Sequence, residues 1–191
     1  MVNSEFSELI VPAPDAAKRL LGAILERKIG NQIVRVRIVE TEAYDQNDPA
    51  SHTYKGQTMR NQIMFDQAGF LYVYFIYGMH YCCNVVTGPN GHGEAALIRA
   101  VEPISGIEIM KKNRQGHSGI TLTNGPSKLC SALQIDKKLN AHYLNSYPLK
   151  LLLQEPLSKN KISSTSRIGI KQAIDVPWRF YIKDNPYVSK I

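Results

Sequence analysis

The sequence lacks the short motifs with which several large enzyme classes hold a cofactor or a metal. Neither GxGxxG nor GxxxxGKS/T occurs, so a nucleotide-phosphate loop is not expected. HExxH, GxSxG and paired CxxC motifs are also absent, and the 5 histidines show no metal-ligand spacing. We therefore expect neither a cofactor nor a metal. The remaining candidate catalytic groups are carboxylates, an arginine, a histidine and tyrosines.

Long hydrophobic runs and paired cysteines are missing as well. No stretch of about 18 apolar residues occurs, so no membrane span is expected. The first residues, Met1-Val2-Asn3-Ser4-Glu5, lack the basic start and the apolar segment of a signal peptide. The 3 cysteines include the adjacent Cys82 and Cys83, and this odd count fits a reducing cytoplasm better than a disulfide framework.

What is present describes a basic globular chain. It has 191 residues, of which 43% are hydrophobic, so we expect a single domain over residues 1–191. The net charge of +7 and the pI near 9.3 are compatible with a nucleic acid or an anionic membrane surface as partner. No Lys/Arg block is long enough to form a basic tail, so the charge is spread along the folded chain.

The order of predicted elements favours an α+β fold. Neighbouring strands are joined by short turn signals such as Gly30-Asn31, so we expect a largely antiparallel, curved sheet with flanking helices and a protruding β-hairpin. Helices are predicted over 16–21, 58–65 and 105–114, and residues 124–130 are predicted to form a turn into another helix. Strands are predicted over 23–29, 32–44, 70–76, 80–87, 94–101, 149–153 and 178–182, and loops over 45–56, 115–124 and 159–167.

The aromatic stretch around Tyr77 is predicted to form the hairpin. β-Branched and aromatic residues dominate up to Tyr77-Gly78, which has the size and glycine content of a hairpin tip. Period-2 alternation places Tyr72, Tyr74 and Ile76 on one face. A large aromatic at a rigid tip, followed by Met79, fits a wedge that enters a base stack. The alternative is a core hairpin with one exposed tyrosine.

Two glutamates continue the apolar face of the strand predicted over 32–44. Glu40 and Glu42 share the even parity of the aliphatic residues that precede them. Because burial of an unpaired carboxylate is costly, they are functional candidates; the alternative is that the strand outruns the core and they are solvated. Arg99, inside an otherwise apolar run, needs a carboxylate partner or an exit to the surface, and either glutamate would serve.

Several segments, in order along the chain, resemble the alkyladenine (3-methyladenine) DNA glycosylase family. They cover almost the whole sequence, and the ordered set is far more specific than any single motif. The segments are Ile38-Val39-Glu40-Thr41-Glu42-Ala43-Tyr44, His52, Met59-Arg60-Asn61, Met64-Phe65, Leu71-Tyr72-Val73-Tyr74-Phe75-Ile76-Tyr77-Gly78-Met79, Asn84, Leu97-Ile98-Arg99-Ala100-Val101-Glu102-Pro103, Asn124-Gly125-Pro126-Ser127-Lys128-Leu129 and Arg179-Phe180-Tyr181.

The resemblance implies an enzyme of base-excision repair that flips alkylated or deaminated purines out of duplex DNA and hydrolyses the N-glycosidic bond. Glu42 matches the family's general base, which activates a water, and Arg99 matches the arginine near that water. The matched base-pocket residues are Tyr44, His52, Tyr74 and Asn84, and the matched DNA-contacting residues are Tyr77, which intercalates, Met79 and Arg60. The loop from Tyr44 to His52 is one residue shorter than the family form.

The implied mechanism predicts a monofunctional enzyme. Water as nucleophile gives no covalent intermediate, and the motif around Glu42 holds no lysine, so no lyase step is expected. We expect a monomer that acts on duplex DNA containing damaged purines, away from membranes, in the cytoplasm and at the nucleoid of a bacterium or in the nucleus of a eukaryote.

Two rival functions remain at this point. A non-catalytic damaged-DNA-binding module would keep Tyr77 but has no need of Glu42, and an enzyme of free purine nucleosides would need no hairpin wedge. The lesion preference and the roles of Glu40 and Lys128 stay open.

Overall fold

A long central strand organises the fold. The computed structural model describes residues 5–189, and strand β2 runs over Gln32–Tyr44. One edge of β2 pairs with β5 (Ala95–Ser105), and the other edge pairs first with β1 (Ile24–Ile29) and then with β8 (Arg179–Ile182). The second half of β2 is therefore a central strand, and every residue from Ile38 to Ala43 is buried.

The remaining strands complete an antiparallel sheet. β3 (Leu71–Ile76) and β4 (His80–Val86) form the predicted hairpin at one edge, and β6 (Leu149–Leu152) lies at the other edge beside β1. The strand order is β3-β4-β5-β2-β1-β6, while β7 (Ile162–Thr165) pairs with β8. Across the described residues this gives a curled sheet of 8 strands, and the predicted α+β class is confirmed.

Short helices cover the sheet and close the core. The helices are α1 (Ala13–Arg19), α2 (Ile107–Asn113) and α3 (Pro126–Ala132). Helix α1 packs on β2 and β5, while α3 packs on β4 and β5, and their alanine, leucine and cysteine side chains join the main apolar core. The Thr41 hydroxyl donates to the Ala17 carbonyl at 2.8 Å, which fixes α1 on β2. No helix within residues 5–189 has the length and apolar character needed to cross a membrane.

Some predicted boundaries were wrong. β5 continues beyond residue 101 to Ser105, because Pro103 lies beside an irregularity in its pairing with β2, where a proline is tolerated. The predicted loop 159–167 contains β7, whose polar sequence shows no apolar alternation. The predicted helix 58–65 is reduced to a 3₁₀ helix at 62–65, and the predicted loop 115–124 contains a 3₁₀ helix at 119–122. The expectation about a signal peptide falls mainly on residues 1–4, which with residues 190–191 lie outside the described residues.

Candidate active site

A cavity of about 490 Å³ opens beside the hairpin. Strands β3, β4 and β5, the loop after β2 and the segment 168–172 supply its walls. A volume of this size suits a small ligand that is enclosed on several sides. The structure brings six of the predicted site residues to this cavity, namely Tyr44, His52, Tyr74, Tyr77, Asn84 and Arg99.

Glu42 lies immediately behind the cavity wall and is fully buried. Its Oε2 accepts a hydrogen bond from the Tyr44 hydroxyl at 2.8 Å, and its Oε1 accepts one from the Ile168 backbone N–H at 2.8 Å. Nη1 of Arg99 lies 3.1 Å from Oε1. Tyr44, Arg99 and Ile168 all line the cavity, so the Glu42 carboxylate is separated from the cavity only by the residues that it contacts. The alternative of a solvated glutamate at the end of the strand was wrong.

Arg99 bridges two buried carboxylates. Its Nε donates to Glu40 Oε1 at 3.0 Å while its Nη1 faces Glu42. The pairing of β2 with β5 is irregular on both sides of Glu40, yet both carboxylates face this guanidinium. Burial by itself would lower the pKa of Arg99, but the charges of Glu42 and Glu40 raise the pKa above its usual value. The Glu40 carboxylate also accepts a hydrogen bond from Arg179 Nε at 2.6 Å, so two arginines balance two carboxylates.

A further arginine supports Tyr44 from outside the cavity. The Arg167 guanidinium lies 4.8 Å from the ring centroid of Tyr44 and 5.4 Å from that of Trp178, and it forms a two-pronged ion pair with Asp48. Burial, and then the charge of Glu42, raises the pKa of the Tyr44 hydroxyl well above its usual range. The hydroxyl therefore stays protonated and can donate to Glu42.

Tyr72, Tyr74 and His52 form an aromatic wall of the cavity. The rings of Tyr72 and Tyr74 stack with centroids 5.5 Å apart, and His52 meets Tyr74 edge to face at 4.6 Å. Nδ1 of His52 lies 2.9 Å from the Tyr72 hydroxyl. Burial, and then the positive charge of Arg60, lowers the pKa of His52 below its ordinary 6.5. The imidazole is therefore neutral at pH 7, and this wall carries no positive charge.

Asn84 has a fixed place in the cavity wall. It is almost fully buried, it lies in β4 between Tyr72 of β3 and Leu97 of β5, and its Nδ2 donates to the Tyr72 carbonyl at 3.2 Å. Cross-strand pairing on both sides holds its backbone. An amide held in this way can select a ligand by shape and by hydrogen bonding.

The hairpin tip projects from the protein beside the cavity. Tyr77 and Gly78 both have left-handed backbone angles, with φ of 53° and 68°. For tyrosine this conformation costs on the order of 1 kcal/mol, which is a reason to suspect function at the tip. Three large apolar side chains are exposed to solvent at the tip, namely Phe75, Tyr77 with 78% of its surface exposed and Met79 with 71%. The sequence had pointed to Tyr77 and Met79 only.

Two predicted DNA-contacting residues border the cavity without lining it. Met79 belongs to the hairpin tip, and the exposed Arg60 has its guanidinium 6.0 Å from the Tyr74 ring centroid. Lys128, whose role was open, donates from Nζ to Asn124 Oδ1 at 2.8 Å. Its neighbours in α3, Pro126 and Ser127, line the cavity, so Lys128 lies close to its rim.

Four residues that contribute to the site were not predicted from the sequence as site residues. Tyr72 had a usable signal, because period-2 alternation places it beside Tyr74. Arg167 and the Ile168 N–H had none, since they follow a segment without apolar alternation and contact residues more than 100 positions earlier. Arg179, which pairs with Glu40, was noted only as part of a motif.

The fold and the site define an enzyme pocket built for acid–base chemistry. A buried carboxylate, held by an arginine and a phenol behind an aromatic cavity, is the type of group from which enzymes make a general base.

Comparison with known proteins then identifies the family. The model of the methylpurine-DNA glycosylase family matches residues 7–186.

Relatives from several organisms match over nearly their full length. A protein of Francisella tularensis is 53% identical over 179 residues, covering 92% of this chain and 93% of the relative. One of Carboxydothermus hydrogenoformans is 51% identical over 175 residues, covering 91% and 92%. One of Clostridium botulinum is 45% identical over 203 residues, covering 100% and 99%. Each carries the name "Putative 3-methyladenine DNA glycosylase".

The chain belongs to the methylpurine-DNA glycosylase family. It is therefore an N-glycosylase of DNA repair, a hydrolase whose substrate is DNA. The family resemblance and the enzyme class expected from the sequence are confirmed.

Proposed function

We propose that this enzyme flips alkylated or deaminated purines out of duplex DNA and hydrolyses the N-glycosidic bond, releasing the free base and leaving an abasic site. The observation that carries the proposal is the position of Glu42, a buried carboxylate held by Arg99 and Tyr44 behind an aromatic cavity. The names of the relatives, which specify 3-methyladenine, support an alkylated purine as the base.

Base flipping is the step assigned to the hairpin tip. A base inside a duplex cannot reach a cavity, so the nucleotide must be extruded at a cost of a few kcal/mol. Tyr77 would enter the gap and replace part of the lost stacking, with Met79 beside it. The projecting tip and its exposure support this role. Arg60 and the net charge of +7 would attract the phosphates, which makes binding depend on salt.

Recognition of the base is assigned to the aromatic walls and Asn84. Purines alkylated at N3 or N7 are cationic, so Tyr44, Tyr74 and a neutral His52 would favour them by cation–π attraction of about 0.5–2 kcal/mol. The low pKa of His52 supports this, because a protonated imidazole would repel the same base. Asn84 would reject guanine by a clash with its exocyclic amino group. The weaker glycosidic bond of a damaged base and its easier extrusion supply the remaining selectivity.

Hydrolysis is assigned to a water activated by Glu42. Arg99 and Ile168 border both Glu42 and the cavity, so a water between them would contact the carboxylate and the sugar of the flipped nucleotide. General-base assistance contributes about 10²–10⁴-fold. The negative charge of Glu42 would also stabilise an oxocarbenium-like transition state. We propose that the enzyme acts as a monomer and has no lyase step.

The test of this function is release of free base from a defined duplex. Wild-type enzyme is incubated with a duplex carrying one hypoxanthine or one 3-alkylated purine, and released base is measured by chromatography beside an undamaged duplex. We expect base release from the damaged duplex only, and no covalent enzyme–DNA adduct after borohydride treatment. The same lesion as a free nucleoside should be cleaved far more slowly, because the hairpin and the phosphate contacts then contribute nothing.

Each rival gives a different result in this experiment. Binding without base release would favour a damaged-DNA-binding module, and equal cleavage of the free nucleoside would favour a nucleoside hydrolase. A borohydride-trapped adduct would contradict the water mechanism. Lys171 is the lysine that lines the cavity within the described residues, so Lys171→Ala would then show whether its amine forms the adduct.

Replacement of Tyr77 by alanine should weaken binding to a damaged duplex by roughly 5- to 150-fold, because a stacked aromatic contributes about 1–3 kcal/mol per base. Fluorescence anisotropy with a labelled duplex measures this change. Thermal stability should be unaffected, since Tyr77 is 78% exposed.

The matched control is Tyr147→Ala, which removes a partly exposed tyrosine beside β1, away from the hairpin edge of the sheet. It should leave DNA binding unchanged. If the two substitutions weaken binding to the damaged duplex equally, Tyr77 does not act as a wedge.

A further inference from the structure

Three potential metal ligands converge outside the cavity, where β2 ends and β5 begins. Asp45 follows the last residue of β2 and Glu94 precedes the first residue of β5, so the pairing of these strands places the two carboxylates near each other. His92 comes from the preceding turn. Its Nε2 lies 3.2 Å from Asp45 Oδ2 and 3.2 Å from Glu94 Oε1. Ligand atoms of all three residues lie within 4.8 Å of one another.

Among the described residues, His92 is the side chain that can offset the charge of these two carboxylates. An imidazole Nε2 carries at most one hydrogen, yet two carboxylate oxygens approach it. Among residues 5–189, neither Asp45 nor Glu94 forms an ion pair with a lysine or an arginine. Glu94 is only 5% exposed, and its Oε2 is buried without a hydrogen-bond partner. A buried carboxylate in this condition is costly unless a bound cation or a proton neutralises it.

We propose that Asp45, His92 and Glu94 bind one divalent transition-metal ion, with Zn²⁺ as the best match. An imidazole with two carboxylates suits zinc, whereas Mg²⁺ and Ca²⁺ prefer oxygen ligands alone. Ligand atoms bound tetrahedrally at zinc distances lie about 3.4 Å apart, close to the 3.2 Å separations here. A water would complete the coordination. The ligands are up to 49 positions apart in sequence, so their spacing gave no motif.

The surroundings hold these ligands in place. Oδ1 of Asp45 accepts the Asn47 backbone N–H at 2.7 Å, which leaves Oδ2 facing His92. The Gln46 side-chain oxygen accepts the Gly93 backbone N–H at 2.9 Å and ties the two segments together. Such outer contacts orient metal ligands and raise the affinity of a site.

A bound ion would fasten the loop 45–56 to the turn 88–94. That loop carries His52, which lines the cavity, and Asp48, which pairs with Arg167 behind Tyr44. The metal would therefore stabilise one wall of the cavity and would take no part in bond cleavage. The inference is independent of the proposed reaction, and its test does not measure base release.

The first test titrates the full chain, treated with a chelator and dialysed, with ZnCl₂ alone in a calorimeter. We expect one Zn²⁺ per chain and a rise in Tm of roughly 5–10 °C at about a hundredfold excess over Kd. His92→Ala and Asp45→Asn should each weaken binding at least about 10-fold. His117→Ala removes an exposed histidine elsewhere and should bind zinc like the wild type.

The second test identifies the ligands in the wild-type chain, so it holds even if a variant misfolds. Co²⁺ in place of Zn²⁺ should give d–d absorption bands without sulfur-to-cobalt charge-transfer bands. The thiols are the competing ligands, but burial raises the pKa of Cys82 to about 11 and keeps it protonated. Absence of binding, thiolate bands, or full affinity in both His92→Ala and Asp45→Asn would overturn the proposal.

Discussion

Glu42→Gln is expected to lower the single-turnover rate of base release at least about 10²-fold, while the variant still binds a damaged duplex. Glutamine keeps the shape of the side chain but cannot accept a proton from water. Arg99 retains Glu40 as its partner in this variant, so the fold should persist. Quench measurements with enzyme in excess isolate the chemical step from product release, and anisotropy measures binding.

The matched control for this prediction is Glu102→Gln. It makes the same change in charge on the same sheet, at a glutamate that pairs with Arg37 near the surface, and it should leave the rate unchanged. A Glu42→Gln variant with the wild-type rate would move the general base elsewhere. The first residue to examine would then be Glu40, the other carboxylate at Arg99.

Arg99→Leu is expected to lower the free energy of unfolding by about 3–5 kcal/mol, because removal of one partner leaves a buried charge uncompensated. Glu42 loses its cation and keeps only neutral donors, the Tyr44 hydroxyl and the Ile168 N–H. Glu40 is affected less, because Arg179 still contacts it. Urea unfolding at pH 7, followed by circular dichroism, measures the loss.

Two further variants show whether charge is the cause. Arg37→Leu breaks an ion pair on the same sheet with a 44% exposed side chain, and such a pair is worth at most about 1 kcal/mol. The double variant Arg99→Leu/Glu42→Gln should be more stable than Arg99→Leu alone, since it also removes the unpaired charge. If Arg99→Leu costs no more than Arg37→Leu, or if the second substitution restores nothing, the buried ion pairs do not stabilise the site as described.

The sequence alone determined the local elements and the candidate residues. Period-2 alternation identified β2 and the hairpin, and Tyr77-Gly78 identified its tip, because turn chemistry and strand faces depend on neighbouring residues. The ordered motifs identified the family, and Glu42, Arg99 and five further residues then lay at or behind one cavity. Elements without apolar alternation, such as β7, could not be recognised in this way.

Only the tertiary structure decided which of these residues are buried, which of them contact one another and how their charges are paired. Whether Glu40 and Glu42 are solvated or buried depends on β5 and β8, which pair with the two edges of β2. Arg99 reaches Glu40 across 59 positions, and the Ile168 N–H reaches Glu42 across 126. The cluster of Asp45, His92 and Glu94 likewise exists only because β2 and β5 are paired. Contacts of this range depend on strand order and register, which no local pattern in the sequence specifies.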